Sequence, residues 1–289
     1  MKMPDGPLHA TGGALLRPVA GVRHGAAFEG PDWVAEERPV ALEFNGIAQA
    51  VMLATPLDLE DFALGFALGE GLLDVPGELH GLETVESREG ITLKLRIAAR
   101  CMARLKERRR ALAGRTGCGL CGIESLAQLD RPLAPLPPGP AVPRAALARA
   151  QAELRGLQAL QHATGAVHAA AWCGSDGSVR LLREDVGRHN ALDKLVGALA
   201  RAGALAGPRA AHCTDGFFAV TSRASYEMLH KTAAARVPLL VAVSAATTLA
   251  IDLAAQLSVG LVGFARGQDL VVYAGRERID LGTEHDDGR

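Results

Sequence analysis

Two cysteines separated by two residues lie in the stretch Gly117-Cys118-Gly119-Leu120-Cys121-Gly122, with three glycines around them. Glycine has no Cβ, so such a segment turns tightly and lets another molecule approach its backbone. A thiol that must reach another protein's sulfur, or a cofactor, needs that access; a buried structural pair does not. Three chemistries use paired thiols. Structural zinc takes four N/S ligands, typically from two paired clusters, and this chain has one Cys-x-x-Cys pair. Dithiol exchange of the thioredoxin kind fits a cytosolic Cys-x-x-Cys near a βαβ pattern. Here, however, the pair follows a basic run and precedes a proline-rich stretch. In sulfur relay, one thiolate accepts a sulfane sulfur as a persulfide and passes it on, with the second thiol assisting. Zinc deamination is excluded: that chemistry uses His-x-Glu with Pro-Cys-x-x-Cys downstream. His168-Ala169-Ala170 has alanine in place of the glutamate, and the cysteine pair lies upstream.

The basic run holds Arg100, Arg104, Lys106, Arg108, Arg109, Arg110 and Arg115. It reads as a solvated helix face, with one specific alternative: nearby positive charge lowers a cysteine pKa and raises its thiolate fraction. Cys101, Cys173 and Cys213 are solitary and read as small buried hydrophobes. His168 fits a core histidine or a site residue equally.

Three further polar clusters fall just after a strand and at or before a helix: Glu184 to Asn190, Thr221 to Ser225, and Ser244 to Thr248. In open α/β sheets, ligands bind in the crevice outside the carboxyl ends of the strands. Helix N-termini there offer free N–H groups to anions, and Arg188 and Arg223 would add forked donors for phosphate. His189 leans toward function. The plainer reading makes Asp185, Asn190, Ser225 and Thr247 helix caps only.

The elements that would position these groups follow from periodicity. Residues 1–17 read as a flexible tail. Asn45-Gly46 between Val40–Phe44 and Ile47–Leu53 is a hairpin signal. Thr55-Pro56-Leu57-Asp58 predicts a helix start capped by Thr55, with Leu59, Phe62, Ala63 and Phe66 on one face and Gly69-Glu70-Gly71 ending it. Ile91 to Ile97 alternates as a half-buried strand. Residues 18–130 therefore read as an N-terminal α+β domain ending in the Cys-x-x-Cys loop. Arg131 to Pro143 carries six prolines and reads as an extended linker. Residues 144–289 alternate: a helix on Leu147, Ala150, Leu154 and Leu157, then strands at Val167–Cys173 and Ser178–Leu182 joined by Ser175-Asp176-Gly177. A helix on Leu192 to Leu199 ends at Gly203, followed by strand and helix in turn to Tyr273. That alternation predicts a layered α/β domain with a largely parallel inner sheet.

Composition agrees with a globular chain. Nearly half of the 289 residues are hydrophobic (48%) and the net charge is -1, so no global charge argues for nucleic acid or an anionic membrane. No segment approaches the roughly 18 apolar residues of a membrane span. Met1 to Ala20 has no apolar signal core, which predicts a cytoplasmic location with reduced thiols.

Taken in order, Gly117 to Gly122, Gly165-x-x-His168-Ala169-Ala170 and Glu184-Asp185-Val186-Gly187-Arg188-His189-Asn190-Ala191-Leu192-Asp193-Lys194 resemble the formate dehydrogenase accessory sulfurtransferases, the FdhD family. Thr55-Pro56, Gly65-Phe66, Glu70-Gly71, Arg223-x-Ser225-x-Glu227-Met228 with Lys231, Ser244 to Thr247 and Phe264-Ala265-Arg266-Gly267 extend the resemblance from about Glu43 to Tyr273. It implies a sulfurtransferase with a cysteine persulfide intermediate. Sulfur would come from a cysteine desulfurase and pass to the molybdenum or tungsten bis(guanine dinucleotide) cofactor, which is then inserted into formate dehydrogenase. Cys118 would bear the persulfide and Cys121 would be its partner. Phe264, Ala265, Arg266, Gly267, Gln268 and Asp269 match the family's guanine dinucleotide position, and Arg188, His189, Asn190, Arg223, Ser225, Ser244 and Thr247 are the further candidate contacts. The cofactor is an acceptor substrate, and no permanently bound metal or cofactor is expected. The resemblance also implies a cytidine-deaminase-like layered sheet domain, a smaller N-terminal α+β domain, and a homodimer. The rival is a non-catalytic molybdenum cofactor chaperone with a structural thiol or zinc site. Two departures bear on nucleotide contact: Thr221-Ser222-Arg223 stands where the family has Ser-Gly-Arg, and Ser244-Ala245-Ala246-Thr247 where it has Ser-Ala-Pro-Thr.

Overall fold

The computed structural model describes residues 12–112, 133–205 and 215–282. The first elements are a ribbon, β1 (Ala14–Arg23) and β2 (Ala26–Ala35), paired antiparallel from Ala14↔Ala35 to Arg23↔Ala26. Residues 14–17, expected in the tail, are therefore strand. Ala14 is buried with Leu160 and Val167, which anchors the base of the ribbon.

The Asn45-Gly46 hairpin forms as expected between β3 (Arg38–Phe44) and β4 (Ile47–Ala54). Asn45 and Gly46 have φ of 46° and 82°, the two positive values of a type I′ turn. After α1 (Leu59–Gly69) come β5 (Leu79–Glu86), β6 (Ile91–Ile97) and α2 (Ala99–Leu112). The four strands order as β4-β3-β6-β5, with β3 and β6 parallel. Val40, Leu42 and Phe44 of β3 and Ile91, Leu93, Leu95 and Ile97 of β6 turn one face to Phe62 and Phe66 of α1 and Leu105 of α2. One expectation fails: Thr55 caps nothing. Helix α1 starts at Leu59 behind Asp58, which is left-handed (φ 51°). Thr55 is instead fully buried and bound to a carboxylate far along the chain.

Residues 133–141 have no regular structure. They are docked nonetheless: Leu136 is buried, and its N–H donates to Leu257 O at 2.9 Å. The short β7 (Val142–Pro143) leads into α3 (Arg144–Leu157) and α4 (Ala159–Thr164). Then follow β8 (His168–Gly174), β9 (Val179–Asp185), α5 (Arg188–Arg201), β10 (Gly216–Val220), α6 (Tyr226–Ala234), β11 (Leu239–Ala242), α7 (Thr248–Leu257), β12 (Gly260–Arg266), β13 (Asp269–Ala274) and β14 (Ile279–Asp280), which pairs parallel with β7.

Six strands form one sheet in the order β13-β12-β11-β10-β8-β9. It is mixed rather than largely parallel. Only β10, β11 and β12 run parallel to one another; β8, β9 and β13 pair antiparallel. The turns at Ser175–Gly177 and Gly267-Gln268 are too short for the crossover a parallel pair requires. Alternate residues face opposite cores. Trp172, Phe218, Val220, Leu240 and Ala242 meet Leu192, Met228 and Ala254 of α5, α6 and α7. Cys173, Phe217, Ala219, Leu239 and Val241 meet Leu147, Ala150 and Leu154 of α3. Helices therefore cover both faces, and the polar strand ends emerge along one edge.

Helices α1 and α5 cross at two glycines. A Cβ on Gly65 would collide with the backbone carbonyl of Asp193, and one on Gly197 with that of Asp61. Backbone that close transmits any shift directly. Gly65→Ala or Gly197→Ala is expected to cost about 3 kcal/mol or more, or to prevent folding. A Cβ on Gly156 of α3 would instead meet nothing within 4 Å, so Gly156→Ala is expected to stabilise by about 1 kcal/mol through helix propensity. Urea denaturation of the three variants checks both directions.

Candidate functional site

Helices α5, α6 and α7 start at Gly187, Ser225 and Thr247, and none of the three has a side-chain cap hydrogen bond. The capping expectation for Ser225 and Thr247 is thus not met: both stand at the N-cap without bonding. Their helices leave backbone N–H groups open at the sheet edge. The turns after β10 and β11 are laced together by Ala224 N–H to Ala245 O and Thr247 N–H to Ala224 O, both 3.1 Å.

The first turns of α5 and α6 meet through His189, whose Nε2 lies 2.6 Å from Glu227 Oε2. That contact and the neighbouring Lys231 and Arg188 hold the Glu227 carboxyl below its usual range against burial. Beside it, Arg188 Nε and Ser225 Oγ are buried and have no hydrogen-bond partner. A buried donor without an acceptor costs about 1–3 kcal/mol, and two fall together at this strand end. His168 lies in the same group: burial, then Arg188 and His189, push its pKa down. Glu227 was not among the expected site residues. Its signal was weak, an acid in the first turn of a helix, which is a common placement.

Not every predicted contact faces outward. Asn190 is buried, and its amide donates to Leu53 O (2.8 Å) and to Asp185 Oδ1 (2.9 Å). Asp185, fully buried, also accepts from Thr55 N–H (3.0 Å) and Gly187 N–H (2.8 Å), and pairs with Lys194 Nζ at 2.7 Å. Lys194 donates further to Thr55 O at 2.9 Å. Glu184 accepts the N–H groups of Leu160 and Gln161 at 2.9 Å, holding the start of α4. Asp193 and Glu70 both pair with Lys231. Much of the 184–194 stretch is therefore architecture that aims Arg188 and His189.

The β12–β13 turn closes the edge. Phe264 has φ +50°, a strained setting for a bulky residue, and its N–H donates to Ser244 O at 3.1 Å. The residue is 41% exposed, and Arg266 lies 5.9 Å from its ring centroid. Arg266 Nε donates to Val243 O at 3.0 Å. Gly267, Gln268 and Asp269 are exposed, whereas Ala265 packs into the α3-side core. Arg223 is exposed and Ser244 is partly buried beside the same turn. Ser222 is not at positive φ, and its hydroxyl donates to Arg223 O at 3.0 Å. Ala246 bridges Ala224, and its own N–H makes no described backbone hydrogen bond, so the position would also accommodate proline.

Cys118, Cys121 and Cys213 lie outside the described residues. Cys101 and Cys173 are buried as expected, and burial pushes both thiols up, Cys173 to about 12. Helix α2, which precedes the thiol segment, is pinned at its start. Arg100 pairs with Glu78 at 2.6 Å, and Arg104 bonds Asp74 and Leu72 O. Arg100 and Lys106 are exposed, as a solvated face requires, while Arg104 is partly buried.

A mixed α/β protein with orphan donors at its sheet edge, and a paired-thiol segment upstream, is the class that fold and site define. The chain belongs to the FdhD/NarQ family, which it matches over residues 35–280. It is 60% identical over 280 residues to the Sulfur carrier protein FdhD of Variovorax paradoxus (strain S110), covering 97% of this chain and 98% of that one. The protein of the same name from Bordetella petrii is 51% identical over 268 residues, 93% of each. A crystal structure of a putative formate dehydrogenase accessory protein from Desulfotalea psychrophila shares the fold, with a TM-score of 0.70 at 23% identity over 92% of this chain and 99% of that one. No described helix is long and apolar enough to cross a membrane.

The anchor of α2 carries a pH dependence. Burial alone would raise Glu78; the Cys101 thiol, Arg100 and the N–H groups of Asp74 and Val75 outweigh it and hold the carboxyl at about 2. A depressed folded pKa contributes stability that is complete above the unfolded value and lost as pH falls through the folded one. Wild type should therefore lose stability between about pH 4.5 and about pH 2. Glu78→Gln should be less stable at neutral pH by roughly 1–3 kcal/mol and flatter across that window. Denaturation at stepped pH measures both.

Proposed function

We propose that this chain is a cytoplasmic sulfurtransferase that carries sulfur from a cysteine desulfurase to the molybdenum or tungsten bis(guanine dinucleotide) cofactor destined for formate dehydrogenase. The near full-length identity to proteins named Sulfur carrier protein FdhD supports the sulfur role. The formate dehydrogenase accessory name of the Desulfotalea protein suggests the recipient. The observation that carries the cofactor half of the reading is the pair of orphan donors, Arg188 Nε and Ser225 Oγ, beside uncapped helix N-termini. Such a setting suits the phosphates of a guanine dinucleotide, and the strained, exposed Phe264 offers a face for its base. The sheet covered on both faces agrees with a deaminase-like layered domain, and the working unit is read as a homodimer.

In the proposed transfer, Cys118 thiolate attacks the terminal sulfur of the donor persulfide. The donor S–S bond breaks, the donor leaves as a thiolate, and a new S–S bond forms on Cys118. Attack by Cys121 thiolate on the Cys118 sulfur then expels sulfide to the acceptor and leaves a Cys118–Cys121 disulfide, whose two electrons went into the sulfide. A dithiol reductant resets the pair. The two-residue spacing and the surrounding glycines suit meeting donor and acceptor in turn.

Incubation with a desulfurase and cysteine should add one sulfur to the 117–122 segment by mass spectrometry, and Cys118→Ala should abolish transfer. Full transfer by both Cys118→Ala and Cys121→Ala would end this reading. One zinc bound per chain and lost in those variants would favour the non-catalytic chaperone. At the sheet edge, Arg188→Ala should weaken guanine nucleotide binding roughly tenfold to a hundredfold by titration; unchanged affinity would remove the strand-end site.

A further inference from the structure

His168 opens β8 at the same edge, in register with Asp185 of β9. The Asp185 carboxylate is spent on Thr55, Gly187, Asn190 and Lys194. The charged groups that act on His168 are Arg188 and His189 from the first turn of α5. Just after β10, Thr221 accepts the N–H of Ala169 next door at 2.9 Å and brings no charge. From α6, Glu227 is turned to His189. His168 is thus a half-buried imidazole beside Arg188 and His189, with no described carboxylate acting on it, at the strand end where two buried donors lack an acceptor.

We propose that His168 is a charge-sensing residue of this site: a pyrophosphate group bound at the first turns of α5 and α6 is taken up together with one proton, which resides on the His168 imidazole. The inference rests on reading the strand ends as a phosphate site. The proton comes from solvent, and no bond of the ligand breaks. In the empty site, burial, then Arg188 and His189, hold the imidazole's pKa down. An anion placed between Arg188 and Ser225 offsets those charges and favours the imidazolium. Glu227 does not take this proton, because His189 holds it ionised. Affinity is therefore highest below the pKa of His168 in the empty site, itself below the usual 6.5, and declines as pH rises through the value in the complex. A neutral nucleoside gains nothing from His168, so the residue selects for the charged end of the ligand.

The probe must hold its own charge constant, and a terminal phosphate titrates near pH 6. GDP-mannose, a pyrophosphate diester, meets that need, with guanosine as the uncharged control. Calorimetry in two buffers of different ionisation enthalpy should show close to one proton taken up per bound diester. Affinity should weaken about threefold to thirtyfold from about pH 6 to about pH 8, while guanosine binding stays level. In His168→Gln the uptake should vanish and the profile flatten. Diester binding by wild type without proton uptake overturns the role of His168 and leaves the phosphate site standing, even if the variant fails to fold. A pH profile unchanged in folded His168→Gln overturns it as well. Absence of diester binding at either pH overturns the phosphate site and this inference with it.

Discussion

One fully buried carboxylate, that of Asp185, holds the edge of the protein together. It accepts from the backbone of Thr55 and Gly187 and from the Asn190 amide, and it faces the ammonium of Lys194, which is itself fully buried. Two charges so far from water are costly unless every remaining lone pair and proton is used. Here the use is near complete, since Lys194 also donates to Thr55 O. Burial pulls the Lys194 ammonium down, and Asp185 opposes it. The cluster joins the end of β4, the end of β9 and the first turns of α5 in one arrangement, so the sheet edge cannot shift without breaking it.

The glycine crossing of α1 and α5 serves the same end. Backbone-to-backbone contact at Gly65 and Gly197 brings α1 close enough for Asp61 to bond Arg183 and Arg201, and for Glu70 to reach Lys231. Lys231 is held charged against its burial by Asp193 and Glu70. Helix α6, whose first turn carries Ser225 and Glu227, is thereby tied to the same frame. The structured ion pairs lie behind the edge, and the orphan donors lie on it. That contrast separates the groups that hold the fold from the donors left without a partner.

Local rules were legible in the chain wherever the deciding contacts are close in sequence. The Asn45-Gly46 turn, the apolar face of α1, the β8–β9 turn and the three polar strand ends follow from spacing and turn chemistry. Thr55 was misjudged because its partner is 130 residues away, and no local pattern distinguishes a helix cap from a docked backbone. The sheet was expected to be largely parallel because strand and helix alternate; the short turns that make β8, β9 and β13 antiparallel were visible, but their weight was not. Ala265, placed among the ligand contacts by the family resemblance, and Asn190, placed there with the polar cluster, are both buried by packing.

By itself, the sequence determined the elements, the paired thiols and the presence of cations beside strand ends, because these depend on backbone preference and residue type. Only the tertiary structure decided which polar groups are spent and which are spare. Within Glu184 to Lys194, Glu184, Asp185, Asn190, Asp193 and Lys194 are consumed by partners brought from elsewhere in the chain, while Arg188 keeps a buried N–H with no acceptor. Hydrogen-bond satisfaction is a property of three-dimensional neighbours, and no run of letters contains it.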